Sequence, residues 1–138
     1  MTASLWRSSD ADGERALVAP VCALVVGDRD GSIDTALRAS NIAVQSLATV
    51  SAALEFIATQ LPTDAVVIDA AGRADSAVAL VIALRRHRYW RSLPILLLTP
   101  ERDSTYPNRV FEAGADECFT EWDRPILAAR VLELADPT

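Results

Sequence analysis

Three polar side chains stand where short apolar runs stop. Val25-Val26-Gly27-Asp28 closes one run with a carboxylate, Val66-Val67-Ile68-Asp69 closes another the same way, and Leu96-Leu97-Leu98-Thr99 closes a third with a hydroxyl. If those runs are neighbouring strands, two carboxylates and a hydroxyl meet at one edge. That set suits a hard cation such as Mg²⁺ beside a phosphoryl-sized group. The same spacing equally describes two aspartates that only cap the helices after them.

An absence narrows the chemistry further. All 13 basic residues of the 138 are arginines, so no Schiff base, P-loop lysine or lysine general base exists here. His87 is the single histidine, which excludes a His-based metal cage and any triad with a second histidine. The net charge of −6 argues against a surface that tracks nucleic-acid phosphates. The two cysteines, Cys22 and Cys118, lack metal or redox spacing and lie in apolar runs, so reduced thiols and a cytoplasmic location are expected. No run is long and apolar enough for a membrane span, and the first residues lack a signal-peptide pattern.

The elements that must position the strand-end residues follow from texture. Residues 1–20 are polar and aperiodic and are expected to form a flexible leader, with one domain over 21–138. Strands are predicted over Val21–Val26, Ala43–Leu47, Ala65–Ile68 and Ile95–Leu98, and at Cys118–Phe119. Between them, helical spacing appears at Ile33, Ala36 and Leu37, at Ala52, Ala53, Phe56 and Ile57, and at Ala77, Leu80, Val81 and Leu84. It returns at Val110, Phe111 and Ala113, where Gly114 is a stop signal. Asp123 and Pro125 mark the start of a last helix over Ile126–Leu134. Strands alternating with helices require right-handed crossovers and a parallel sheet covered on both faces, an α/β doubly wound fold. Such sheets bind ligands outside the carboxyl ends of their strands, where Asp28, Asp69 and Thr99 stand.

Other patterns carry less. Arg85-Arg86-His87-Arg88-Tyr89-Trp90 mixes cations and aromatics, but at a helix end it reads as arginines complementing the dipole with Tyr89 and Trp90 covering the sheet edge. A dinucleotide site is disfavoured, because Gly27-Asp28-Arg29-Asp30-Gly31 puts acids where phosphates would sit.

Over about residues 21–135 the chain resembles the receiver domain of bacterial two-component response regulators. ALVVGDRD is similar to the first strand and acidic pocket, VVIDA to the phosphoacceptor strand, and LPILLLT to the fourth strand with its switch threonine. EAGADECFTEWDRPILAARV resembles the stretch that commonly reads EAGADDYLTKPF followed by a helix. The resemblance implies a five-stranded parallel sheet of flavodoxin-like (βα)5 architecture. It implies that Asp69 accepts a phosphoryl group, that Asp28, Asp69 and the carbonyl of Ala71 hold Mg²⁺, and that Thr99 contacts the phosphoryl oxygens. It makes the chain no enzyme beyond self-catalysed phosphotransfer to Asp69.

The chain departs from that pattern at the positions that would switch it. Gly27 replaces the first carboxylate of an acidic pair, with Asp30 a substitute one turn on. Cys118 replaces an aromatic residue, and Glu121-Trp122 replaces a lysine-proline pair. The loop after Asp69 reads Ala-Ala-Gly-Arg, without the usual proline. A lysine ammonium 4 Å from phosphoryl oxygens contributes on the order of 4 kcal/mol at an effective dielectric of about 20, and a glutamate reverses the sign. The swing of roughly 8 kcal/mol is relieved only if Glu121 turns outward, pairs with Arg29 or protonates beside Asp69. The expectation is therefore a pseudo-receiver in two-component or phosphorelay signalling that works through protein contact, with Mg²⁺ implied only weakly. The other reading is a receiver phosphorylated on Asp69 by a histidine kinase. Expected partners are a kinase or an output domain, with a homodimer through the Glu101–Leu134 face as a further option, and neither nucleic acid nor membrane. Trp122 and Arg124 lie on that face, where such residues suit an interface as well as packing.

Overall fold

Val, Ile and Leu runs of four or five residues are too short for stable helices and apolar on both sides, so they form strands sandwiched between layers. The computed structural model describes residues 20–59, 63–71, 73–99, 106–119 and 124–135. In chain order these give β1 (Cys22–Val26), α1 (Ser32–Arg38), β2 (Ala43–Leu47), α2 (Val50–Phe56) with a 3₁₀ turn at Ile57–Thr59, and β3 (Ala65–Asp69). Then follow α3 (Ala74–Arg86), β4 (Ile95–Leu98), α4 (Tyr106–Ala113), β5 (Glu117–Phe119) and α5 (Arg124–Ala135). The sheet is parallel throughout, in the order β2-β1-β3-β4-β5.

Alternate residues of the central strands feed two cores. Leu24, Val26, Val66, Ile68, Ile95 and Leu97 pack under α2, α3 and α4; Ala23, Val25, Ala65, Val67, Leu96 and Leu98 pack under α1 and α5. The predicted doubly wound α/β fold is therefore the observed one. Boundaries differ by a residue or two: β1 begins at Cys22 and β3 runs on to Asp69. The last helix begins at Arg124, with Pro125 as its second residue. The Asp123 cap and residues 1–19 of the expected leader lie outside the described residues.

Local chemistry explains two helix ends. Thr49 caps α2, its Oγ1 accepting from the Ala52 N–H at 3.0 Å. At the end of α4, Gly114 adopts φ 120° while the Gly114 and Ala115 N–H groups donate back to the Phe111 and Val110 carbonyls at 3.0 and 3.1 Å. Only glycine fits there: a Cβ would lie 2.6 Å from Cγ of Arg85. On the open side of β2, the Arg38 guanidinium pairs with Asp34 at 2.6 Å and donates to the Val44 carbonyl at 3.0 Å.

The stretch after α3 corrects its sequence reading. Arg85 is a fastener rather than a solvated helix end: it donates to the carbonyls of Gly114, Arg91 and Leu93 at 2.8, 2.9 and 2.6 Å and to Asp116 at 2.8 Å. Trp90 enters the core, 2% exposed, with its indole N–H donating to the Ile57 carbonyl at 2.7 Å, whereas Tyr89 stays 52% exposed. Tryptophan carries enough apolar surface to be drawn inward once its N–H has an acceptor.

Candidate functional site at the strand carboxyl edge

Register decides which strand-end residues meet. Val26 pairs with Ile68, so Gly27 stands level with Asp69 and Asp28 one residue beyond. Asp69 pairs with Leu98, so Thr99 stands level with Ala70. Asp28, Asp69 and Thr99 thus occupy the carboxyl edge of three adjacent strands, at the switch in strand order where doubly wound sheets bind ligands.

Each acid is already committed to the backbone. Both oxygens of Asp28 accept helix N–H groups, from Ile33 at 3.1 Å and Asp34 at 2.8 Å, which anchors the start of α1. Oδ1 of Asp69 accepts the Ala71 N–H at 3.0 Å, shaping the turn after β3. Of the two capping roles raised by the spacing, Asp28 performs one, whereas Asp69 only shapes its turn and no side chain caps the helix that follows. Thr99 is only 4% exposed, its N–H donating to the Phe119 carbonyl at 2.9 Å. Asp30 is exposed and accepts the Ser32 N–H at 3.0 Å.

Two arginines complete the edge. Gly27 is buried with φ 85°, and a Cβ there would meet Nη1 of Arg73 at 2.9 Å and the Asp69 carbonyl at 3.0 Å. The space that a side chain at position 27 would fill therefore holds a guanidinium, which also donates to the Ala48 carbonyl at 3.3 Å. Arg29 reaches the other side, its Nη2 donating to the Ala71 carbonyl at 3.5 Å. Sequence reasoning did not place Arg73 here. The available signal was a basic residue in each of the two loops that follow an acidic strand end.

A divalent cation fits this donor set poorly. Among the described residues no three His, Cys, Asp or Glu side chains gather as a cage. Asp28, Asp69 and Ala71 offer two carboxylates and a carbonyl, yet that carbonyl already faces the Arg29 guanidinium, whose charge opposes a second cation beside it. Cys118, the position that resembles an aromatic switch, is half-buried on β5, and burial pushes its thiol up from the ordinary range. Glu121 and Trp122 lie outside the described residues, as do Gly72 and Glu101.

The strand order, the parallel sheet and the helices on both faces define a receiver fold of the flavodoxin-like type. Solved structures similar to this chain include response regulators and a receiver domain. A response regulator from Chloroflexus aurantiacus J-10-fl matches with 29% identity and a TM-score of 0.73, covering 85% of this chain and 98% of its own. The BeF₃-activated DrrB receiver domain matches at 23% identity and TM-score 0.69, over 84% and 97% of the two chains. The chemotaxis response regulator CheY4 of Vibrio cholerae matches at 19% identity and TM-score 0.72, over 84% and 99%. No protein-family model and no curated protein matches the sequence. No helix among the described residues is long and apolar enough to cross a membrane.

Proposed function

We propose that this chain is a receiver-like regulatory module of bacterial two-component or phosphorelay signalling that works by protein contact, with phospho-switching impaired or absent. One observation carries the reading: guanidinium groups of Arg73 and Arg29 stand at Gly27 and on the Ala71 carbonyl, where the resembled pattern needs a carboxylate and a metal-facing oxygen. Glu121 in place of lysine and Cys118 in place of an aromatic residue point the same way from sequence. The proposed partner is a histidine kinase or an output domain in the cytoplasm. Phe111 on α4 and Ile126 on α5, both exposed and both on helices flanking the β5 edge, support a contact face there, including a homodimer within Glu101–Leu134.

The second reading, a phosphorylation-competent receiver, draws on Asp69 itself, a half-buried carboxylate at the end of β3 one residue from the level of Thr99. Incubation with acetyl phosphate and Mg²⁺, followed by intact mass, separates the two. The pseudo-receiver reading expects unmodified protein. A stoichiometric gain of one phosphoryl group that disappears in Asp69→Asn overturns it.

A further inference from the structure

Beside the two carboxylates, toward β2, lies an open groove of about 420 Å³. Arg29 enters it from the loop after β1, Thr49, Val50 and Ser51 from the start of α2, and Arg73 and Ser76 from the start of α3. Its volume falls within the range of about 300–1,000 Å³ typical of small-molecule sites.

The two cations in this groove are held differently from four other arginines among the described residues. Arg38, Arg85, Arg109 and Arg130 each pair with a carboxylate. Among the described residues, Arg29 and Arg73 instead each hold one carbonyl, through contacts of 3.5 and 3.3 Å, and neither pairs with an acid. A guanidinium has five N–H donors, so most of each fork is left to face solvent in the groove. Three nearby acids among the described residues are engaged elsewhere. Asp75 is drawn to Arg109 at 2.7 Å, and Asp28 and Asp69 accept backbone N–H groups. The 13-residue helix α3 has no side chain capping its N-terminus, which leaves first-turn N–H groups and a positive dipole end beside Arg73.

We propose that this groove binds a phosphorylated small molecule without covalent chemistry, the phosphate gripped between Arg29 and Arg73. Planar guanidinium forks match phosphate oxygens in pairs, and two forks from separate loops suit a dianion better than a carboxylate. The Ser51 and Ser76 hydroxyls suit a polyol attached to that phosphate. Among the described residues no aromatic ring lines the groove, so none of them offers a surface on which to stack a nucleobase. The inference goes beyond the signalling role above and does not depend on whether Asp69 accepts a phosphoryl group.

The test is an amide chemical-shift titration of the full chain at constant ionic strength. Inorganic phosphate, pyrophosphate and ribose 5-phosphate are the probes, and ribose and chloride the controls. Saturable shifts centred on Thr49, Ser51, Arg73 and Ser76 are expected, strongest with ribose 5-phosphate if a phosphorylated metabolite is the ligand class. Saturation by inorganic phosphate alone, with no gain from the attached sugar, overturns that class. Arg29→Gln and Arg73→Gln should each weaken binding about tenfold, while Asp69→Asn binds as well as the parent. Shifts matched by chloride, an unchanged affinity in the Arg29→Gln/Arg73→Gln double variant, or loss of binding in Asp69→Asn would each sink the proposal. The acetyl phosphate experiment is read by mass on Asp69 and stands or falls separately.

Discussion

Helix α3 carries an arginine at each end, and the two are opposites. Arg85, in its last turn, is 20% exposed and saturated by three carbonyls and a carboxylate from the connections around β4 and β5. Arg73, at its N-terminus, holds one carbonyl at 3.3 Å and faces an open groove. Both are the same residue type on the same helix. What differs is how many fixed acceptors the fold turns toward each. At the amino-terminal edge of the sheet the loops fold back and present carbonyls that need donors. In the groove at the carboxyl edge, the Ala48 carbonyl is the one acceptor that Arg73 reaches among the described residues.

Removing Arg85 should have the largest effect. Arg85→Ala leaves carbonyls of Gly114, Arg91 and Leu93 short of a donor, and a loss of about 3 kcal/mol is expected, read as a lower urea midpoint at unchanged slope. Arg85→Lys should recover only part of it, because an ammonium cannot fork toward four acceptors. A loss under about 1 kcal/mol for the alanine variant would erase the contrast between the two ends.

Gly27→Ala tests the crowding at the open end and should cost about 2 kcal/mol, from positive φ and the close approach of the Asp69 carbonyl. The companion Arg73→Ala should change stability by less than about 1 kcal/mol, as expected for a side chain with one long hydrogen bond. If Arg73→Ala proves as damaging as Arg85→Ala, both arginines are structural.

The smallest effect is a pH slope. Burial raises the Cys22 and Cys118 thiols above their unfolded value of 9.0, and Asp64 adds to the rise at Cys22. Raised thiols favour the protonated folded state, so this stability is complete below about 9 and declines as pH climbs through the folded values. Cys22→Ala/Cys118→Ala should flatten the slope in alkaline thermal melts.

Much of the fold was legible because its signals are local. Valine and leucine runs ending in Asp69 and Thr99, and Gly114 after a helical period, depend on neighbours in sequence. The same locality made the two aspartates ambiguous, since capping and ligand chemistry use the same residue at the same place, and the structure shows Asp28 doing the first. Arg73, Arg85 and Trp90 were illegible for the opposite reason. Their partners, Ala48, Gly114 and Ile57, are 25, 29 and 33 residues away, and no spacing rule reaches that far.

The outer strand β2 has a consequence for assembly. Its Ala43 and Leu47 bond toward β1, so Val44 turns its carbonyl to the flank of the sheet on which no strand pairs among the described residues. Arg38 takes that carbonyl while anchored to Asp34. A sixth strand, whether from another copy or from a misfolded chain, must first evict a tethered guanidinium before it can dock. The arginine works as an end-stop against templated growth, the hazard that every exposed strand edge carries.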